Sequence, residues 1–115
     1  MKLNLFILFV FLILLSCDNA HQQKYNLILR KERIFTDSIC KLSEEKNGFG
    51  LGKSNINLIK LRLTIYENEF LNEVKAANTK KAKIEDYPTN EQVKNNSDFV
   101  LKMGDIIKNA DLTKP

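Results

Sequence analysis

The side chains able to do chemistry in this sequence are few. Two cysteines, Cys17 and Cys40, and a single histidine, His21, are its only thiol and imidazole groups. A zinc-type centre needs several converging ligands, usually in closely spaced pairs, and no such pairing occurs. A cysteine nucleophile needs a base beside it. His21 lies in a short polar stretch, and Cys40 falls on an apolar helical stripe where it reads as a small buried side chain. Residues 47–54, Asn47-Gly48-Phe49-Gly50-Leu51-Gly52-Lys53-Ser54, come close to a phosphate-binding loop. That loop requires glycine at its first position and a strand before it. Asn47 stands in the glycine position and the preceding segment reads as helix, so a glycine-rich turn with an exposed lysine is the better reading. Glu44, Glu45, Glu67, Glu69 and Glu73 are most simply solvated helix faces with weak ion pairs. The expectation is no catalytic residue, no metal ligand, no cofactor and no small-molecule substrate, hence not an enzyme.

One cysteine does carry a chemistry. The chain opens Met1-Lys2, runs apolar from Leu5 to Leu15, and reaches Leu14-Leu15-Ser16-Cys17. A positive start, a short apolar run and a small residue before a break are the parts of a secretory signal. The run falls well short of the ~20 apolar residues a membrane span needs. Leu14-Leu15-Ser16-Cys17 resembles the lipobox of bacterial lipoproteins. The resemblance implies a diacylglyceryl group on the Cys17 sulfur, cleavage between Ser16 and Cys17, and acylation of the new amino group. Only a thiolate supplies the soft nucleophile that such a thioether requires. Each buried methylene contributes about 0.8 kcal/mol, so two or three chains anchor durably where one does not. Removing 16 of the 115 residues leaves 99 and takes away one lysine, so the net charge falls from +4 to +3. Cys40 then has no intrachain partner, and an intermolecular disulfide is the alternative to burial, because an exported chain meets oxidising conditions.

These groups must be positioned by helices. Residues 17–23 are polar and aperiodic and read as a lipidated tether. From Tyr25, apolar residues recur at Ile28, Phe35, Ile39 and Leu42, with Leu29 beside them and Glu32 as the one polar interruption. The glycines of 48–52 stop that helix. Ile59-Lys60-Leu61-Arg62-Leu63-Thr64-Ile65 alternates like a half-buried strand, yet Ile56, Ile59, Leu63, Tyr66, Phe70 and Val74 also trace a helical stripe. Strong helix formers follow without a turn, and no second segment alternates to pair with it, so helix is the reading. Leu58, Leu61 and Ile65 then imply a helix buried on more than one side. Ser54 or Asn55 is the expected cap, and the helix should fade over 79–83 before Tyr87-Pro88. Thr89 and Gln92 form a capping box for a third helix carrying Val93, Val100, Met103 and Ile107, widened by Phe99 and Ile106.

The expected architecture is an all-α, three-helix up-down-up bundle over residues 24–110, after a cleaved signal at 1–16 and before a frayed tail at 111–115. Ninety-nine residues suffice for a modest core. The interhelical loop offers Phe49 and Leu51. They either form an apolar tip for a partner or fold back onto the bundle end, which is the simpler of the two. With Lys53 they make the candidate contact loop. Two basic clusters, Arg30-Lys31-Arg33 and Lys80-Lys81-Lys83, read first as solvated faces and second as attraction toward an anionic membrane. Export and interspersed acids argue against nucleic acid.

The very short signal, Leu-Leu-Ser-Cys, the polar tether and a small Lys/Asn/Ile-rich helical domain resemble the plasmid-encoded lipoproteins of Borrelia spirochaetes, in particular the orf-D family found near phage-type holin genes. Only residues 1–17 match a definable motif; the remainder matches in composition and helical style. The resemblance implies a lipid-anchored protein of the cell envelope, at the outer membrane or surface rather than the inner membrane. No catalytic residue carries over. The expected role is a non-catalytic interaction module that is held to the membrane at Cys17 and binds a protein partner. A structural accessory of a phage-like lysis or envelope system is the alternative.

Overall fold

A computed structural model describes residues 19–45, 51–110 and 112–113, with the backbone alone at 44 and 45. The expected signal at 1–16, Cys17, Phe49 and most of the expected 111–115 tail lie outside the described residues. Among those described there are three α-helices: α1 (Ala20–Glu45), α2 (Lys53–Ala77) and α3 (Asn90–Lys108), with a 3-10 turn at Ile84–Asp86.

The chain packs as an up-down-up bundle. Tyr25 meets Phe70 and Phe35 meets Tyr66 across α1 and α2, so the numbering of one helix rises as the other falls. Tyr66 also meets Phe99, at 6.0 Å between ring centroids, which brings α3 onto the same core. Gln92 at the start of α3 bonds to Gln22 and Asn26 near the start of α1, so α1 and α3 run in parallel. The core comprises Tyr25, Ile28 and Ile39 of α1, Leu51 before α2, Ile56, Ile59, Tyr66 and Phe70 of α2, and Phe99 and Met103 of α3. These described core residues lie between residues 25 and 103, so a chain starting at Asp18 contains all of them. Residues 59–65 are helical, because the period linking Ile56, Ile59, Leu63, Tyr66 and Phe70 gives one continuous buried face.

Several sequence expectations are corrected. Helix α1 begins at Ala20, so most of the 17–23 stretch is helix rather than tether. Asn19 starts it: its Oδ1 accepts from the His21 N–H at 2.8 Å and its carbonyl accepts from the Gln23 N–H. Helix α2 begins at Lys53 behind Gly52, which caps it without a side-chain bond, so neither Ser54 nor Asn55 serves. It ends at Ala77, where the Asn78 N–H closes back on Val74 and Lys75. Leu58 and Leu61 are 42% and 56% exposed, so α2 is buried on one side only, with Ile65 partly covered. Val93 is 44% exposed and Gln92 takes its place toward the core. The Thr89–Gln92 capping box forms as expected: the Gln92 N–H donates to Thr89 Oγ1, and the Thr89 N–H donates to Gln92 Oε1 at 2.8 Å. Tyr87, ahead of Pro88, is extended.

Candidate functional site: a groove with a buried acid

Of the loop's apolar pair, Leu51 alone is among the described residues. Leu51 is 3% exposed and belongs to the core, so at this residue the side chain folds back and is not presented to a partner. Lys53 is exposed as the first residue of α2. Cys40 is half-buried and free. Among the described residues no group of His, Cys, Asp and Glu is placed to hold a metal ion, and no helix is long and apolar enough to cross a membrane.

A polar junction ties the start of α1 to the segment between α2 and α3. Asn19 Nδ2 donates to the Asp86 carboxylate, and Gln22 Nε2 donates to the carbonyls of Glu85 and Tyr87. The Tyr25 hydroxyl donates to the Asp86 carbonyl at 2.8 Å. Gln92, 8% exposed, donates from Nε2 to both Gln22 and Asn26. Glu73 receives His21 Nδ1 at 2.6 Å and Lys24 Nζ at 3.7 Å. The Lys83 N–H bonds to Asp86, and Asn19 adds a second bond, so this carboxyl titrates below its ordinary range. Burial pushes the Tyr25 hydroxyl up, and the nearby Glu73 charge adds to it. The junction is polar and mutually bonded.

The second polar place differs. Glu32 follows Ile28 by four residues and precedes Ile39 by seven, so the helical period points it at the core. It is 2% exposed, and neither carboxyl oxygen has a hydrogen-bond partner. Thr36, one turn on, directs its hydroxyl to the Glu32 backbone carbonyl instead. Desolvation, aided by the charge of Glu67, pushes the Glu32 carboxyl up to about 8. At neutral pH this acid is mostly protonated. Glu67 Oε1 and Asn96 Oδ1 are likewise buried without a partner.

Glu32 lines a groove of about 620 Å³ between α1 and α3, within the size range of ligand sites. Leu29 and Phe99 give it apolar wall. Asn26, Thr36 and Asn95 add neutral polar groups, and Arg30, Arg33, Lys102 and Asp98 bring charge. With Glu32 protonated, three bases face one acid. Such a groove can hold an anionic group against its bases. Sequence reasoning placed Glu32 as an interruption in a stripe and Arg30-Arg33 on a solvated face. What it missed was that the parallel helix α3 closes the other side.

No family model, no curated protein and no solved structure matches the chain.

Proposed function

We propose that this chain is a lipid-anchored, non-catalytic binding module of a bacterial cell envelope, with the α1–α3 groove as its binding seat. The observation that carries the binding role is Glu32: a carboxyl 2% exposed, with both oxygens unpartnered, on the wall of a ligand-sized groove. A buried polar group without partners is costly to keep in a purely structural core. A partner that draws this side chain into the groove and supplies the missing bonds recovers that cost on binding. The basic excess of Arg30, Arg33 and Lys102 over Asp98 selects an acidic partner segment. The anchoring role rests on Leu14-Leu15-Ser16-Cys17, and outer-membrane or surface placement follows the spirochaetal resemblance.

Metabolic labelling with radioactive fatty acid tests the anchor. The chain should take up label, and a Cys17→Ser variant should lose it while staying full length or becoming soluble. Equal labelling of the two chains would remove the anchor. For the seat, an Arg33→Glu, Lys102→Glu double variant should lose its partner with the helical spectrum intact. Retained binding would move the contact elsewhere.

A further inference from the structure

We propose that the end of the bundle carrying Lys80, Lys81, Lys83 and Ile84 lies flat against an anionic membrane surface, so that the lipid anchor fixes the orientation of the domain as well as its location. This rests on the lipid-anchored reading of Cys17.

Asn19 caps α1, so only Asp18 separates the cap from Cys17, and two residues span at most about 7 Å. The expected seven-residue tether would have let the domain swing freely. The observed helix start removes that freedom and brings the bundle end to the bilayer. Asn19 bonds to Asp86, and the other oxygen of the same carboxylate accepts from the Lys83 N–H at 2.8 Å. Gln22 holds the Glu85 and Tyr87 carbonyls. The lysine-bearing segment is thereby fixed beside the anchored terminus.

Lys80, Lys81 and Lys83 are exposed, as are Lys24 and Lys75, against the exposed acids Glu85 and Glu91. Glu73 pairs with His21 and Lys24, and Asp86 keeps its charge beneath the bonds from Asn19 and the Lys83 N–H. Five lysines then stand against four acids, and the net charge of the face stays positive, with Lys80, Lys81 and Lys83 together at its edge. Beside the lysines stands Ile84, 91% exposed. An apolar side chain among lysines suits the headgroup boundary of a bilayer, where the aliphatic group enters and the ammonium groups meet anionic lipid. Each lysine near such a surface favours contact by roughly fivefold.

The chain contains no tryptophan, so a single introduced indole reports its own surroundings. The lipidated protein is carried in vesicles of phosphatidylcholine with about one-third phosphatidylglycerol, some bearing brominated acyl chains. An Ile84→Trp variant should be quenched by the brominated lipid, and a Leu58→Trp variant, toward the opposite end of α2, should not. Adding Lys80→Glu, Lys81→Glu and Lys83→Glu to Ile84→Trp should reduce quenching severalfold while the protein still floats with the vesicles. Equal quenching at both positions, or quenching indifferent to charge reversal, would overturn the orientation and leave the anchor standing. A protein that fails to float would overturn the anchor and the orientation with it.

Discussion

Asp86 and Glu32 are two acids of one small bundle, held in opposite ways. Asp86, at the polar junction, accepts from Asn19 and from the Lys83 N–H, and its carboxyl is held below the ordinary range. Glu32, on the groove wall, accepts from nothing and is held up at about 8. The junction meets its polar needs internally, as expected where helices are being stapled together. The groove wall does not: the Glu32 carboxyl is buried and unpartnered beside a space large enough for a ligand. Partnered polar groups hold the junction together, and the unpartnered Glu32 carboxyl is what the proposed binding role rests on.

The difference has a thermodynamic signature of opposite sign at the two acids. Glu32 has a folded-state pKa above its ordinary 4.5, so the folded chain retains a proton that the unfolded chain has released. Its contribution is fully present below about pH 4.5 and is lost as pH rises to about 8. At about 1.36 kcal/mol per unit, that window is worth on the order of 5 kcal/mol, a large share of a small domain's stability. Urea unfolding across this range should show the fall, and Glu32→Gln should flatten it. Asp86 works the other way: its contribution is present above its ordinary pKa and is lost as pH falls through the lowered one.

Breaking the junction should cost less, but at every pH. Gln92→Ala removes the donor to Gln22 and Asn26 and the acceptor for the Thr89 N–H, leaving partly buried groups unpaired. A loss of about 1–3 kcal/mol by chemical denaturation is expected. Thr89→Ala deletes only the Oγ1 acceptor for the Gln92 N–H, for about 1 kcal/mol in the same measurement. The smallest effect belongs to the exposed Lys31–Glu69 pair at 3.5 Å. Lys31→Ala should change stability by about 0.5 kcal/mol or less, and high salt should erase the difference.

Local signals were legible in the sequence, and long-range ones were not. The capping box at Thr89 and Gln92 spans three residues, and the stripe from Ile56 to Phe70 carries its own period, so both could be read directly. The start of α1 could not, because Asn19, Gln22 and Tyr25 find partners more than sixty residues away at Glu85, Asp86 and Tyr87. Without those partners, 17–23 looks like a polar tether. Leu58 and Leu61 misled in the other direction: apolar type alone implied burial, and among the described residues no fourth helix covers them. Glu32 was visible as a break in the α1 stripe. That it would be buried, and would line a groove closed by Asn95, Phe99 and Lys102, depended on how α3 packs.

The central claim is that Glu32 is a buried, uncharged acid at neutral pH, and its own titration tests this most directly. Carbon-detected NMR of the side-chain carboxyl in the folded protein, followed from pH 3 to 10, should place its midpoint near 8, with the signal assigned by its loss in Glu32→Gln. Removing the neighbouring charge in Glu67→Gln should move the midpoint down by less than desolvation raises it. A midpoint at the ordinary value of 4.5 would mean that the carboxyl is solvated, and the contrast between the groove and the junction would fail.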